Sequence, residues 1–505
     1  LAIITRFGAQ ATGLASTLAL TPLLLWGLGD AEFGLRSMFV SVTGYLMLAN
    51  VGLGSTVSRF VSQASAASDP SRLSRTTSTL VGLYATSSLT IIAISAGIAG
   101  LVPGWLALPI ELWGIAVPAT VLIGVSTALG LIDQLCSEWF LGQEQQAIAN
   151  LIRIGSMVLS FATLASVVLS GGKLLHLYLA TIAIQTVILC ILGWRVFQQA
   201  PEMRLSPALF DTELARHILT FSVWIMVVQI GNQLVFGASN LVIARYAGIT
   251  AVAGYAIVAR LLAQAAEVLY STIDVWIPVF ARLKVEGVTG DLRRVFGDSA
   301  SLATALVAGV CLMFGFYGPQ ALNLWLRRTD LAPPEVIWLL CAFWSVETVK
   351  HCSWALLLAT ASREQMRTIS LAYIGEGILS LGLSIWLINY LGLAGVALAS
   401  LLACLSTSFF VWPVFARRQI QVSLLGYYVI LARPAVCGSV AGGMAGIGAG
   451  WLLGNQSALT VMAGIASVAI AYASSAWFIG MDSGQRQRNS ERLGRVTRPW
   501  LARLR

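Results

Sequence analysis

Apolar runs of about twenty residues recur along the whole chain, separated by short polar stretches. A helix rises 1.5 Å per residue, so a run of that length matches a hydrocarbon layer roughly 30 Å thick. The pattern predicts fourteen membrane spans, near 7–28, 37–58, 77–101, 112–133, 151–171, 175–196, 217–239, 251–280, 297–318, 334–358, 368–389, 393–415, 434–454 and 457–480. The first run lacks a small-residue cleavage site and reads as a membrane helix, not a signal peptide. The fold class expected is therefore all-α and polytopic, because a helix satisfies its own backbone in lipid.

The polar breaks carry a directional signal. With the N-terminus inside, the inner loops and tail hold 24 Lys and Arg, against 5 outside (Arg36, Lys173, Arg245, Arg327 and Arg328). Basic loops stay on the cytoplasmic side, so both termini are expected there.

Composition agrees. The 505 residues are 57% hydrophobic and 10% charged, with mean hydropathy +0.81. A soluble domain carries roughly 25% charged residues. The net charge of +9 then reads as loop charge that orients the chain, and no nucleic-acid partner is expected. The seven Cys fall mostly inside apolar runs with no Cys-x-x-Cys, as small core residues do. No nucleotide, zinc-protease or serine-hydrolase motif occurs; the Gly-Gly-Lys at 171–173 lacks the spacing of a phosphate loop. No enzymatic activity, cofactor or metal is expected.

The chain also repeats itself. Gln145, Ile154, Gly155, Leu159 and Ser160 recur as Gln365, Ile374, Gly375, Leu379 and Ser380, each 220 residues on, and Glu144 pairs with Glu364. Gly34 and Gly254 share that offset, and the Asp69-Pro70-Ser71-Arg72 loop has a counterpart near Asp291. Two six-helix units in the same orientation are expected, 1–200 and 201–420. Two added helices at 421–480 and a basic tail at 481–505 complete the chain; the tail is expected to be disordered or to lie on anionic lipid.

Ionisable residues inside spans are the candidates for chemistry, since each costs about 2.5–3.5 kcal/mol at a helix centre on the insertion scale. Arg260, Glu267 and Asp274 are spaced by seven, so they share one face with Gln264 and Ser271. That stripe is read as the wall of a hydrated cavity or as a structural ion-pair ladder. Glu347 can pair with Lys350 along its own helix, with His351 beside it. Ser222, Gln229, Gln233 and Asn240 share another face, suited either to sugar hydroxyls or to holding helices together. Glu376 is a further acid within a span.

Several motifs resemble one known family. Phe33-Gly34-Leu35, Asn50-Val51-Gly52-Leu53-Gly54-Ser55 with Arg59-Phe60-Val61-Ser62, and Val252-Ala253-Gly254-Tyr255 with Ala259-Arg260-Leu261 are similar to polysaccharide transporters. So are Ile277-Pro278-Val279-Phe280, Gly290-Asp291-Leu292 and Leu391-Gly392-Leu393-Ala394-Gly395-Val396-Ala397. Together they resemble lipid-linked oligosaccharide flippases of the multidrug/oligosaccharidyl-lipid/polysaccharide (MOP) exporter superfamily. The resemblance implies two lobes in a V and alternating access. It also implies transfer of an undecaprenyl-pyrophosphate-linked sugar across a bacterial inner membrane, with a polymerase and chain-length regulator as partners. Arg260 and Lys350 would then offset the pyrophosphate charge. Acids on the same faces would serve H+ or Na+ coupling or hold those bases in place.

A drug or metabolite antiporter of the same superfamily is the nearest alternative, but such transporters place an acidic site in the first lobe, and spans 1–3 as predicted contain no Asp or Glu. The loop from Ser62 to Ser74 lacks the major-facilitator pattern. A membrane-embedded polymerase would carry a large outer loop, and the longest here, near 318–334, is short.

Overall fold

The computed structural model describes residues 2–490 apart from 51–52, 67–69, 144, 329–330, 454–456 and 489. Val51, Gly52, Asp69 and Glu144, invoked above for motif and repeat, and the tail from 491 onward lie outside the described residues. Helices follow one another with short breaks, and no strand occurs among the described residues.

The chain packs as two compact units. One comprises Leu1–Ala256 with Tyr373–Leu381, the other Ile257–Ala372 with Gly382–Arg505. The first contains α1 (Ala2–Leu46), α2 (Gly54–Ala66), α3 (Pro70–Ile98), α4 (Val102–Trp105), α5 (Trp113–Gly142), α6 (Gln146–Leu169), α7 (Leu174–Gln199), α8 (Thr212–Tyr246) and the opening turns of α9 (Ile249–Asp274). The second contains the rest of α9, then α10 (Ile277–Val285), α11 (Thr289–Leu326), α12 (Pro334–Thr360), most of α13 (Arg363–Phe410), α14 (Trp412–Ile420), α15 (Leu424–Leu453) and α16 (Ala458–Ser475). The packing boundary thus falls later in the chain than the repeat boundary read from sequence.

Among the described residues, eleven helical stretches are long and apolar enough to cross a membrane. Two of them are broken. Gly29 (φ 72°, ψ 172°) divides α1, and Gly392 (φ 56°, ψ −135°) divides α13. Each broken helix supplies two spans. Helix α12, with Glu347 and Lys350 in its interior, supplies one more, which gives the fourteen expected.

The breaks also carry the repeat into the backbone. Gly29 and Gly248 lie 219 residues apart, Gly171 and Gly392 lie 221 apart, and all four have positive φ. Each closes a hairpin between successive spans, where a side chain would oppose the left-handed turn.

The break at Gly29 revises one boundary. The second span was expected from residue 37, but the helix restarts directly after Gly29, so Glu32 lies within it and is buried. Its Oε2 accepts from the Leu174 N–H at 2.9 Å, at the start of α7, where a carboxylate offsets the positive helix end. Lys173 Nζ donates to the Gly27 carbonyl at 3.1 Å on the same hairpin. Glu32 thus lies in the first turn after the break, at the end of the second span and not well inside it.

The two added helices pack on α11. Gly438, Gly442 and Gly446 form a stripe on α15 at every fourth residue, and a Cβ at any of them would press on Tyr472, Leu312 or Phe316. The Tyr472 hydroxyl donates to the Ala305 carbonyl of α11 at 2.6 Å. Small residues let helices approach closely where lipid supplies no hydrophobic drive. The opposite faces carry bare apolar side chains: Trp451 is 89% and Leu452 87% exposed. Exposure of that kind is stable only in a lipid solvent.

The start of the tail departs from the expectation of disorder. Residues 483–488 are helical, opened by Asp482, whose Oδ1 accepts from the Gln485 N–H at 2.7 Å. Arg488 grips the buried Asp298 of α11 with two hydrogen bonds, Nε to Oδ2 at 2.7 Å and Nη2 to Oδ1 at 2.9 Å. The Asp298 carboxylate raises the pKa of this guanidinium further above its ordinary value.

Candidate functional site

In the second unit, α9 and α12 gather the ionisable residues. Lys350 Nζ lies 2.6 Å from Glu347 Oε2, the contact that an i, i+3 spacing allows, and both side chains are buried. Cys404 of α13 donates its thiol to the same Glu347 oxygen at 3.3 Å and lies 3.3 Å from the Ser408 hydroxyl. The pair is held on two sides, so Lys350 meets a counter-charge before any ligand arrives.

Asp274 finds a partner that sequence spacing did not reveal. His351 Nε2 sits 2.9 Å from Asp274 Oδ1. An ionised carboxylate only accepts, so Nε2 carries the hydrogen. The His351 ring stacks on Tyr270, with centroids 3.8 Å apart and planes within 10°. Tyr270 in turn meets Thr348 at 3.4 Å. Thr348 gives its own hydrogen to the Trp344 carbonyl at 2.7 Å, so Tyr270 is the donor. One end of α9 is therefore tied to α12 through a carboxylate, a stacked ring and a hydroxyl.

The remainder of the stripe is more open. Arg260 and Glu267 are exposed, and Gln264 is half-buried. Ser271 turns back to the Val268 carbonyl at 2.6 Å.

In the first unit, the polar face of α8 divides. Gln233 donates to the Ser41 carbonyl at 3.0 Å, and Asn240 donates to the Ser41 hydroxyl at 3.1 Å. A Cβ at Gly44 would overlap the Gln233 amide. These two amides join α8 to α1. Ser222 is buried and bonds its own helix at the Ile218 carbonyl, 3.0 Å away. Gln229 is exposed, and its neighbour Asn232 accepts from the Tyr373 hydroxyl at 3.0 Å. Glu376 is buried.

Ionisable and amide side chains set inside long apolar helices mark a multi-pass membrane protein. Residues 16–284 match the polysaccharide biosynthesis protein family, over more than half of the chain, and the chain belongs to that family. No curated protein matches it by sequence. Solved structures of similar fold include an inward-facing multidrug resistance MATE transporter of the MOP superfamily, at TM-score 0.71 and 15% identity, covering 80% of this chain and 94% of that one. The lipid II flippase MurJ in its inward closed conformation matches at TM-score 0.70 and 10% identity, covering 94% and 98%. At these identities the likeness is one of fold, and it agrees with the resemblance read from the sequence.

Proposed function

We propose that this protein carries a lipid-linked oligosaccharide with an undecaprenyl-pyrophosphate head from the cytoplasmic to the periplasmic leaflet of a bacterial inner membrane. The observation that carries this reading is the exposure of Arg260 and Glu267 on a spanning helix. Arg260 lies about 16 Å along α9 from its start, near the mid-depth of a layer roughly 30 Å thick. Facing lipid, each such charge costs about 2.5–3.5 kcal/mol on the insertion scale. Facing water it costs little, so the stripe Arg260, Gln264, Glu267 and Asp274 is read as the wall of an aqueous path. An anionic head crossing there meets a guanidinium that stays charged at every working pH. Gln229 offers an amide to sugar hydroxyls, and Glu347 with Lys350 forms the buried ionic core behind the path. The family match and the MurJ-like fold support a lipid-borne substrate. A polymerase and a chain-length regulator would take the exported unit, and the acids of the stripe would serve H+ or Na+ coupling.

The test is complementation of a deletion strain, reading lipid-linked sugars on each side of the membrane. Arg260→Ala is expected to stop export while the protein stays inserted, and Arg260→Lys to retain part of it. Normal export by Arg260→Ala overturns the role given to the stripe. The equally close MATE-like fold favours a second reading, cation-coupled antiport of a drug or metabolite. That reading predicts lost drug resistance with no build-up of sugar-lipid on the inner side. Exported single repeat units that are never joined would instead mark a polymerase.

A further inference from the structure

Near one end of the first unit, α3, α5 and α7 enclose a slot of about 240 Å³. Its wall is almost wholly apolar: Val81 of α3, Leu135 and Trp139 of α5, Val196 and Phe197 of α7, and Leu205 of the segment after α7. Trp139 and Val196 each lie three residues from the end of their helix, about 5 Å along its axis. The loop charges assign this end to the cytoplasm, and the slot shares no residue with the α9 stripe. Val81, Phe197 and Leu205 are also exposed on the outer surface, so the slot opens sideways toward the surrounding lipid.

The segment after α7 is strapped onto α3. The Arg204 N–H donates to Ser74 Oγ at 3.0 Å, the Ser206 N–H to Ser78 Oγ at 3.3 Å, and the Asp211 N–H to Thr79 Oγ1 at 3.0 Å. Ser74 and Ser78 are one turn apart, so both hydroxyls stand on one face of α3. The strap sets Leu205 against the slot and leaves Arg204, its neighbour, exposed at the mouth. On the α7 side Arg195 is exposed next to Val196, with its guanidinium 5.1 Å from the centre of the Trp194 ring. An exposed Trp at a span end marks the head-group level of a bilayer. Glu202 is the only acid between these two arginines in the chain, so the mouth is positive on balance.

The chemistry of the slot narrows its occupant. Water finds no hydrogen-bond partners in so apolar a space. A drug-sized ligand takes roughly 300–1,000 Å³ and a few fixed polar groups. An acyl chain needs neither, and the bilayer supplies it at the open side. Gly193 of α7 leaves room for it, since this residue lines the slot and a Cβ there would meet nothing within 4 Å.

We infer that the slot holds one acyl chain of an anionic phospholipid, whose phosphate is taken by the Arg204 guanidinium in charge-assisted hydrogen bonds. The second chain stays in the bilayer. This lipid is a resident of the first unit and not the cargo of the proposed transport.

The test uses the full chain in detergent micelles and native mass spectrometry, with phosphatidylglycerol or phosphatidylcholine of matched acyl chains. Wild type is expected to hold one phosphatidylglycerol about fivefold more tightly than phosphatidylcholine, the preference that one arginine gives beside an anionic lipid. Arg204→Gln is expected to cut that preference below twofold and leave phosphatidylcholine binding unchanged. Gly193→Leu fills the slot and is expected to weaken both lipids at least tenfold. Gly155→Leu on α6, where a Cβ also meets nothing, is expected to change neither. Equal retention by wild type and Gly193→Leu, or equal loss in both leucine variants, overturns the slot. An unchanged preference in Arg204→Gln overturns the part given to the phosphate. A phosphatidylglycerol with a diazirine on its acyl chain tests the wild-type chain directly. Label is expected on the peptides that hold Leu135 and Val196, and label spread evenly over the lipid-facing helices overturns the proposal. Displacement of the phospholipid by an equal concentration of farnesyl diphosphate would place the slot on the cargo route and overturn a resident lipid. None of these readouts depends on export, so they stand or fall apart from the proposed transport.

Discussion

His351 of α12 donates to Asp274 of α9 at 2.9 Å while its ring lies flat on Tyr270, one helical turn back along α9. A single imidazole thus binds two residues of one helix by two different forces, a charge-assisted hydrogen bond and ring stacking. Each restrains what the other leaves free, since the hydrogen bond fixes the ring edge and the stack fixes its plane. The result is a defined azimuth for α9, and hence for Arg260 and Glu267 farther along it.

Removing that ring should loosen α9. His351→Ala is expected to lower stability by about 1–3 kcal/mol, because it deletes a hydrogen bond to a charged acceptor as well as the stack. Asp274→Asn keeps an acceptor oxygen in place and should cost less. Thermal unfolding in detergent checks both, and equal midpoints for His351→Ala and wild type would show that the contact does not hold the helix.

The Glu347–Lys350 pair should behave as a buried unit. Lys350→Met alone takes the counter-charge from a buried carboxylate that lies beside the Cys404 thiol and within 4.8 Å of the Glu376 carboxylate, at a cost of about 3–5 kcal/mol. Glu347→Gln with Lys350→Met removes both charges, so the double variant is expected to be more stable than either single one. Additive losses in a double-mutant cycle would contradict the pairing.

These two sites mark how far the sequence could be read. Glu347 and Lys350 are one turn apart on a single helix, so their pairing follows from helical geometry alone. Asp274 and His351 are 77 residues apart, and only tertiary packing brings them together. Span lengths were legible because lipid fixes them, and fourteen emerges from both readings. The start of the second span was not, because a single glycine turn at Gly29 replaces the polar loop that the pattern suggested, which moved Glu32 from a loop into a helix. The amide face of α8 was visible as a face, but its two readings separate only when Ser41 is seen to take Gln233 and Asn240.

The tail contact should matter for stability. Arg488 reaches back to Asp298, whose side chain is 2% exposed, so Arg488→Ala removes two charge-assisted hydrogen bonds from a buried carboxylate. A loss of about 1–3 kcal/mol is expected, on the scale of hydrogen bonds to a charged group. Asp298→Asn should be tolerated better, because a neutral amide costs less to bury. Truncation after residue 482 should reproduce the Arg488→Ala loss, and a truncated chain with an unchanged unfolding midpoint would show the contact to be idle.

The α15 glycines give a test with an internal control. Gly438 faces the Tyr472 ring, and a Cβ there would come within 2.8 Å of its atoms. Tyr472 cannot swing aside freely, because its hydroxyl is fixed to the Ala305 carbonyl of α11 at 2.6 Å. Gly438→Val should therefore force α15, α16 and α11 apart, with an overpacking cost of about 1–3 kcal/mol. Gly443 sits on the same helix with nothing near its Cβ position. Gly443→Ala should be neutral or stabilising, because alanine favours a helix by about 1 kcal/mol over glycine. Tyr472→Phe removes the hydroxyl and its hydrogen bond, so it should cost about 0.5–1.5 kcal/mol alone. Without that anchor the ring can tilt, and Gly438→Val should hurt less in the Tyr472→Phe background than in the native one. Thermal midpoints of the four variants decide the matter: if Gly438→Val and Gly443→Ala shift stability alike, the stripe is not an interface and the two added helices are held to α11 by something else.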